Sequence, residues 1–135
     1  SDAVYMLDWY AYGIGKVPTK VATTYQNISD AWSLLIDQKW HDRITAIKVS
    51  DGGLSYVEFF EYRKNKMSIP LFNIYCATGS NREYYAERTD LIQLGQTTQA
   101  IYFAKLTNEG EQSELALTGD EIKARFSLVN QAWNN

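Results

Sequence analysis

One cysteine, Cys76, one histidine, His41, and two glutamates three apart, Glu58 and Glu61, are the residues of this 135-residue chain whose types could do chemistry. A thiol nucleophile reacts as the thiolate and needs a base, most often histidine, within hydrogen-bond reach. Cys76 closes the apolar run "MSIPLFNIYCAT" with no histidine near it in sequence, so it reads as a small buried hydrophobe. A strand-turn-helix bearing a nucleophile would also need a Gly-x-Ser-x-Gly elbow or its equivalent, with a base and an acid. "CATGSNRE" supplies Cys76 and Ser80 but no elbow glycines. His41 lies between Trp40 and Asp42 in another segment and reads as a surface turn. Glu58 and Glu61 on a strand face opposite sides and cannot share a proton.

Metal and phosphate chemistry find no pattern either. There is neither a histidine pair nor a dense acidic loop, and one cysteine lacks the spaced partners that zinc requires. Gly13-Ile14-Gly15 has no third glycine and no Gly-Lys-Ser/Thr, so it is not a phosphate loop. No cofactor is implied. Asn27-Ile28-Ser29 matches a glycosylation sequon, a motif too short to carry weight by itself.

Composition bounds the remaining classes. The length suits one domain, and 45% apolar with 21% charged residues is ordinary globular usage. A net charge of −3 provides no basic stripe for nucleic acid or for an anionic membrane surface. No apolar run reaches the eighteen or so residues of a membrane span. The chain opens at Ser1 rather than methionine, which points to a trimmed or mature fragment with any leader, anchor or preceding domain upstream. Ten tyrosines and four tryptophans are the departure from average, and they suit sheet faces and binding surfaces alike.

The elements that would position these side chains alternate strand patterns with two helix starts. "AVYMLDWYAYG" alternates Tyr5, Leu7, Trp9 and Ala11 against Met6, Asp8, Tyr10 and Tyr12, a strand whose partner is not evident. "TKVATTYQNIS" reads as a connecting segment or a short strand, and "AWSLLIDQKW" fits a strand or a helical face equally. "RITAIKV", then Asp51-Gly52-Gly53, then "LSYVEFFEYRK" and "MSIPLFNIYCAT" form an antiparallel meander, with Pro70 at an edge, a bulge or a strand start. Ser80 with Glu83 makes a capping box that predicts a short helix over "NREYYAERTDLI"; "LGQTTQAIYFAKLT" returns to strand. Thr118 with Glu121 predicts a second helix whose stripe is Ile122, Phe126, Val129 and Trp133. The fold class is α+β: an antiparallel sheet of about five to seven strands flanked by helices, with an N-terminal strand and connecting segment over residues 1–30, either part of the same domain or separate from it, and the α+β domain over 31–135.

Trp40, Val57-Glu58-Phe59-Phe60, Leu71-Phe72-Asn73-Ile74-Tyr75, Leu94-Gly95-Gln96-Thr97 and Ile101-Tyr102-Phe103 follow an order that resembles a group of small lipoproteins of Gram-positive bacteria. The likeness covers roughly residues 31 to 133. Asp37-Gln38-Lys39 stands where that group has a proline before the tryptophan, and residues 1–30 have no counterpart in it. The resemblance implies a Mog1/PsbP-like α/β/α sandwich, "AWSLLIDQKW" as a strand leading into a loop, an extracytoplasmic location through an upstream lipid anchor, and no catalytic residues to carry over.

The expected function is therefore that of a non-enzymatic cell-envelope domain, membrane-anchored or secreted, that binds a protein, peptide or cell-wall component. Its candidate contacts are Trp9, Tyr10, Tyr12, Trp40, Tyr84 and Tyr85, residue types favoured at binding hot spots. Adjacent Tyr84 and Tyr85 cannot share one helix face, which leaves one of them exposed. An exposed aromatic strand would also favour a homodimer. The alternatives are a lipid or saccharide binder with a pocket between sheet and helix, and a hydrolase or transferase using Cys76 or His41.

Overall fold

The computed structural model describes residues 5–11, 19–63 and 66–129, and the fold is α+β, dominated by antiparallel sheet. Two compact units are found, one within residues 1–38 and 125–135 and the other spanning 39–124. Backbone pairing joins the N-terminal strands, through residues 32–35, to residues 126–128.

The first unit holds β1 (Tyr5–Ala11), β2 (Thr19–Asn27), β3 (Trp32–Leu35) and β9 (Phe126–Leu128) in the order β1-β2-β3-β9, every neighbour antiparallel. β2 is thus the partner of the N-terminal strand, with a bulge between Trp9 and Tyr10. Trp32 and Leu34 alternate inward from β3, and the Trp32 ring packs on Tyr25 and Phe126 at centroid distances of 5.4 and 5.8 Å. Burial, then the charge of Asp30, pushes the Tyr25 hydroxyl well above its ordinary pKa. Arg125 donates to Asp37 at 2.7 Å in the same unit.

Asn27 closes β2 as an Asx turn. Its Oδ1 accepts from Ser29 Oγ and Asp30 N, its Nδ2 donates to Asp30, and the residue is buried. The sequon therefore does not present its amide nitrogen to solvent.

The second unit is a five-stranded sheet of β4 (Ile44–Asp51), β5 (Leu54–Arg63), β6 (Lys66–Thr78), β7 (Ile92–Gln96) and β8 (Ala100–Leu106), ordered β4-β5-β6-β8-β7. The expected meander β4-β5-β6 is present, and Asp51 pairs with Leu54 across a two-residue turn whose Gly52 has φ +60°. "LGQTTQAIYFAKLT" is two strands rather than one, turned at Thr97, whose hydroxyl accepts from Gln99 N and Ala100 N. Pro70 sits at a bulge: the register passes from Phe59↔Phe72 to Phe60↔Pro70 and leaves Leu71 unmatched on β5.

Val57, Phe59, Phe72, Ile74, Cys76, Tyr102 and Ala104 fill one face of this sheet. Trp40, in the 3-10 turn Gln38–Trp40, stacks over Phe59 and Phe72 there. The opposite face carries the cluster Ala77, Ile101 and Phe103, packed by Leu54, Tyr75, Leu91 and Tyr85 from α1 (Arg82–Ala86).

Two helix expectations are corrected. α1 has five residues, its N-cap is Asn81 with no side-chain cap bond, and Ser80 is exposed; Arg82 holds the turn instead by donating to the Gly79 and Thr98 carbonyls. α3 (Gly119–Arg125) does start on the Thr118–Glu121 box, with both reciprocal bonds formed, but the chain turns to strand at Phe126. The expected stripe is cut after Ile122, because Phe126–Leu128 gain ladder bonds by pairing with β3; Trp133 lies outside the described residues.

A further helix, α2 (Asn108–Glu111), went unread in the sequence. Thr107 caps it, accepting from Gly110 N at 2.8 Å while its own hydroxyl lies within bonding reach of the Pro70 and Leu71 carbonyls. A Cβ on Gly110 would lie 2.7 Å from Leu71 Cα and collide with Leu71 O, both of them backbone atoms. Gly110→Ala is therefore expected to destabilise by about 2 kcal/mol or more in urea denaturation, although alanine is the better helix former by about 1 kcal/mol. A stabilised variant would show that α2 does not sit on the β6 bulge.

Candidate functional site

The outer face of the five-stranded sheet carries five of the chain's nineteen aromatic residues in one row. Register places Tyr56 opposite Tyr75 and Tyr75 opposite Phe103, on β5, β6 and β8. Ring centroids are 4.9 Å apart at both steps, and α1 extends the row with Tyr85 over Phe103 at 5.3 Å and Tyr84 edge-on to Tyr85 at 5.6 Å. Cross-strand aromatic pairs of this kind stabilise a sheet and hold the rings rigid.

The orientation decides what the row can bind. Tyr75, Phe103 and Tyr85 lie within 12° and 19° of parallel, so their neighbours occupy the ring faces. Tyr75 and Tyr85, both half-buried, offer edges and hydroxyls rather than a flat platform, and Phe103 between them is buried. Tyr84 alone stands across the row, at 78° and 65% exposed.

Beside the aromatic row runs a polar one. Glu58 pairs with Asn73 and Asn73 with Lys105 on the same three strands, and Asn73 Nδ2 donates to the Tyr75 hydroxyl at 3.1 Å. Ile47, paired with Glu58, is exposed at the β4 edge, as is Lys105 on β8. Desolvation first, then Glu58, Tyr75 and Asp51, raises the Tyr56 hydroxyl above its usual pKa. At the helix end Arg88 grips Asp90 with two bonds; that hydrogen bonding, reinforced by Lys105, holds the Asp90 carboxyl below the usual range.

Of the residues singled out in the sequence, Tyr84 and Tyr85 belong to this surface, one exposed and the other half-buried. Trp40 does not. It is 1% exposed, with its indole N–H donated to Leu115 O at 2.7 Å, and is a core residue rather than a contact. Trp9 and Tyr10 lie on β1 opposite Ala22 and Lys20, with their side chains outside the described set, as is Tyr12 entirely. Tyr56, Tyr75 and Phe103 were missed. Their signal, an aromatic at alternate strand positions, was present, but their adjacency depends on strand order.

The catalytic alternatives are placed apart. Cys76 is buried between Ser55 and Tyr102 on the inner face, whereas His41 is exposed and paired with Asp42 at 3.2 Å. Glu61 points inward and is fully buried; Glu58 is on the outer face, so the two do face opposite sides. Among the described residues no group of three or more His, Cys, Asp or Glu could hold a metal ion, and no helix is long and apolar enough to cross a membrane. Comparison with protein-family models, with curated proteins and with solved structures finds no match to this chain.

Proposed function

We propose that this chain is a non-catalytic cell-envelope domain that docks a protein or peptide through the outer face of its five-stranded sheet. The observation that carries the reading is the row Tyr56–Tyr75–Phe103–Tyr85–Tyr84, rigid by mutual stacking and lined along one side by Glu58, Asn73 and Lys105. Ring edges and hydroxyls flanked by one acid, one amide and one ammonium match the mixed polar and apolar chemistry of a polypeptide. A pyranose ring instead needs an open aromatic face, and only Tyr84 stands clear of the stack. The extracytoplasmic location and the Mog1/PsbP-like sandwich rest on the resemblance to Gram-positive lipoproteins; a five-stranded antiparallel sheet with a helix packed on its face supports the architecture.

The test is selection of binders from a displayed random-peptide library on the immobilised chain, with soluble cell-wall polysaccharide fragments titrated in parallel. Selected peptides are expected to lose about thirtyfold in affinity on Tyr84→Ala, the roughly 2 kcal/mol at which an interface aromatic counts as a hot spot. Saturable polysaccharide binding with no peptide selected, or peptides indifferent to Tyr84→Ala and Lys105→Glu, would replace this reading.

A further inference from the structure

We infer that the same outer face pairs with its own copy, giving a weak twofold dimer; this rests on the reading of that face as a docking surface. Two features make the face self-complementary. The first is charge. Glu58 on β5 and Lys105 on β8 flank Asn73 on β6, one strand to each side, about 4.8 Å away in either direction. A twofold axis lying in the interface along β6 sets Glu58 of each copy against Lys105 of the other. It also sets Asn73 against Asn73, an amide that is both donor and acceptor.

The second feature is relief. α1 packs over the β6–β8 half of the face, with Tyr85 on Phe103, and among the described residues no helix packs closely on the β4–β5 half. The same rotation lays each α1 over the other copy's open half. Tyr84, the exposed ring, then meets Tyr56 and Val49, which are paired across β5 and β4. An axis across the strands would instead oppose Glu58 to Glu58 or to the aromatic row, so charge and relief select the same axis. Lys105 keeps a second acidic neighbour in Asp90, whose carboxylate is already held by Arg88 and so does not neutralise it alone.

The expected strength follows from size. Four strands about 4.8 Å apart and five residues of about 3.4 Å each give a flat footprint of roughly 320 Å². Side-chain relief roughly doubles that, which falls short of the approximately 800 Å² per partner of a stable complex. The dimer is thus concentration-dependent.

Sedimentation equilibrium of the whole chain from about 5 µM to 1 mM is the test. The weight-average mass should climb from 15.5 kDa toward twice that value. Glu58→Lys and Lys105→Glu should each weaken association at least about tenfold, since each sets like charges together twice. An equal mixture of the two variants should associate where neither does alone, and the double variant should recover. Tyr84→Ala is the second, uncharged probe of the interface and should weaken it as well. A mass that stays at one chain throughout overturns the dimer, and so does association that the charge reversals and Tyr84→Ala leave unchanged. A monomer that still binds selected peptides removes the second copy and retains the docking reading; a chain that does neither removes both.

Discussion

Trp40→Ala is expected to leave this protein barely folded, with a loss of about 3–5 kcal/mol, because the largest side chain on the inner face of the sheet would be removed from a site that cannot collapse. The indole is 1% exposed and lies 6.4 and 5.7 Å from the Phe59 and Phe72 ring centres. Its N–H satisfies the Leu115 carbonyl, and Lys39 beside it donates to Ala116 O at 2.9 Å, so one 3-10 turn anchors the segment that follows α2. Against a typical total of about 5–15 kcal/mol, the loss is a large fraction. Trp40→Phe keeps a ring over Phe59 and Phe72 but loses the hydrogen bond, and should cost about 1–2 kcal/mol. Urea denaturation followed by far-ultraviolet circular dichroism measures both. A cost for alanine under about 1 kcal/mol would mean that this turn does not cover the core.

The same tryptophan shows where sequence reasoning reached its limit. Nothing in "DQKWHD" has a period, so a lone aromatic there is as compatible with a contact as with a plug, and only the 3-10 turn directs it inward. By contrast, β4, β5 and β6 were legible because period-2 alternation and a Gly-Gly turn are local signals. The Thr118–Glu121 box was legible for the same reason, whereas Ser80–Glu83 has the identical spacing and caps nothing. The helix there starts one residue later, after Asn81, where Arg82 ties the turn to the Gly79 and Thr98 carbonyls. β9 was hidden because Ile122, Phe126 and Val129 satisfy a helical stripe, and three residues are too few to show alternation; its evidence is the pairing with Trp32, Ser33 and Leu34.

The aromatic row illustrates the other kind of loss. Tyr84 and Tyr85 were found as neighbours in sequence, yet the row exists only because β8 inserts between β6 and β7, bringing Phe103 beside Tyr75 across 28 residues of chain. Alternation says that Tyr56, Tyr75 and Phe103 each face outward or inward with their strand. It does not say which strands are adjacent, and adjacency is what turns single rings into a surface.

Glu61→Ala carries the second large expectation, a loss of about 3 kcal/mol. Burying a carboxylate is tolerated only when its oxygens are engaged, and here Ser113 Oγ donates to Oε1 at 2.5 Å while Arg63 pairs with Oε2. The two partners are not equivalent. The Arg63 side chain is 57% exposed, so water takes over its charge when the glutamate is removed, and the ion pair itself contributes about 0–1 kcal/mol. Ser113 is different: its hydroxyl also accepts from Leu115 N at 3.0 Å, on the residue whose carbonyl holds Trp40. Deleting Glu61 thus leaves a cavity at the end of the Val57–Phe59–Glu61 inward series and releases the loop that closes over it. Glu61→Gln retains the volume and an acceptor for Ser113 and should cost about 1 kcal/mol or less. A double-mutant cycle between Glu61→Ala and Ser113→Ala should give a coupling of about 1–2 kcal/mol, and between Glu61→Ala and Arg63→Ala under about 1 kcal/mol. If the larger coupling falls on Arg63 instead, or if glutamine costs as much as alanine, charge rather than the serine bridge is what holds this corner of the core.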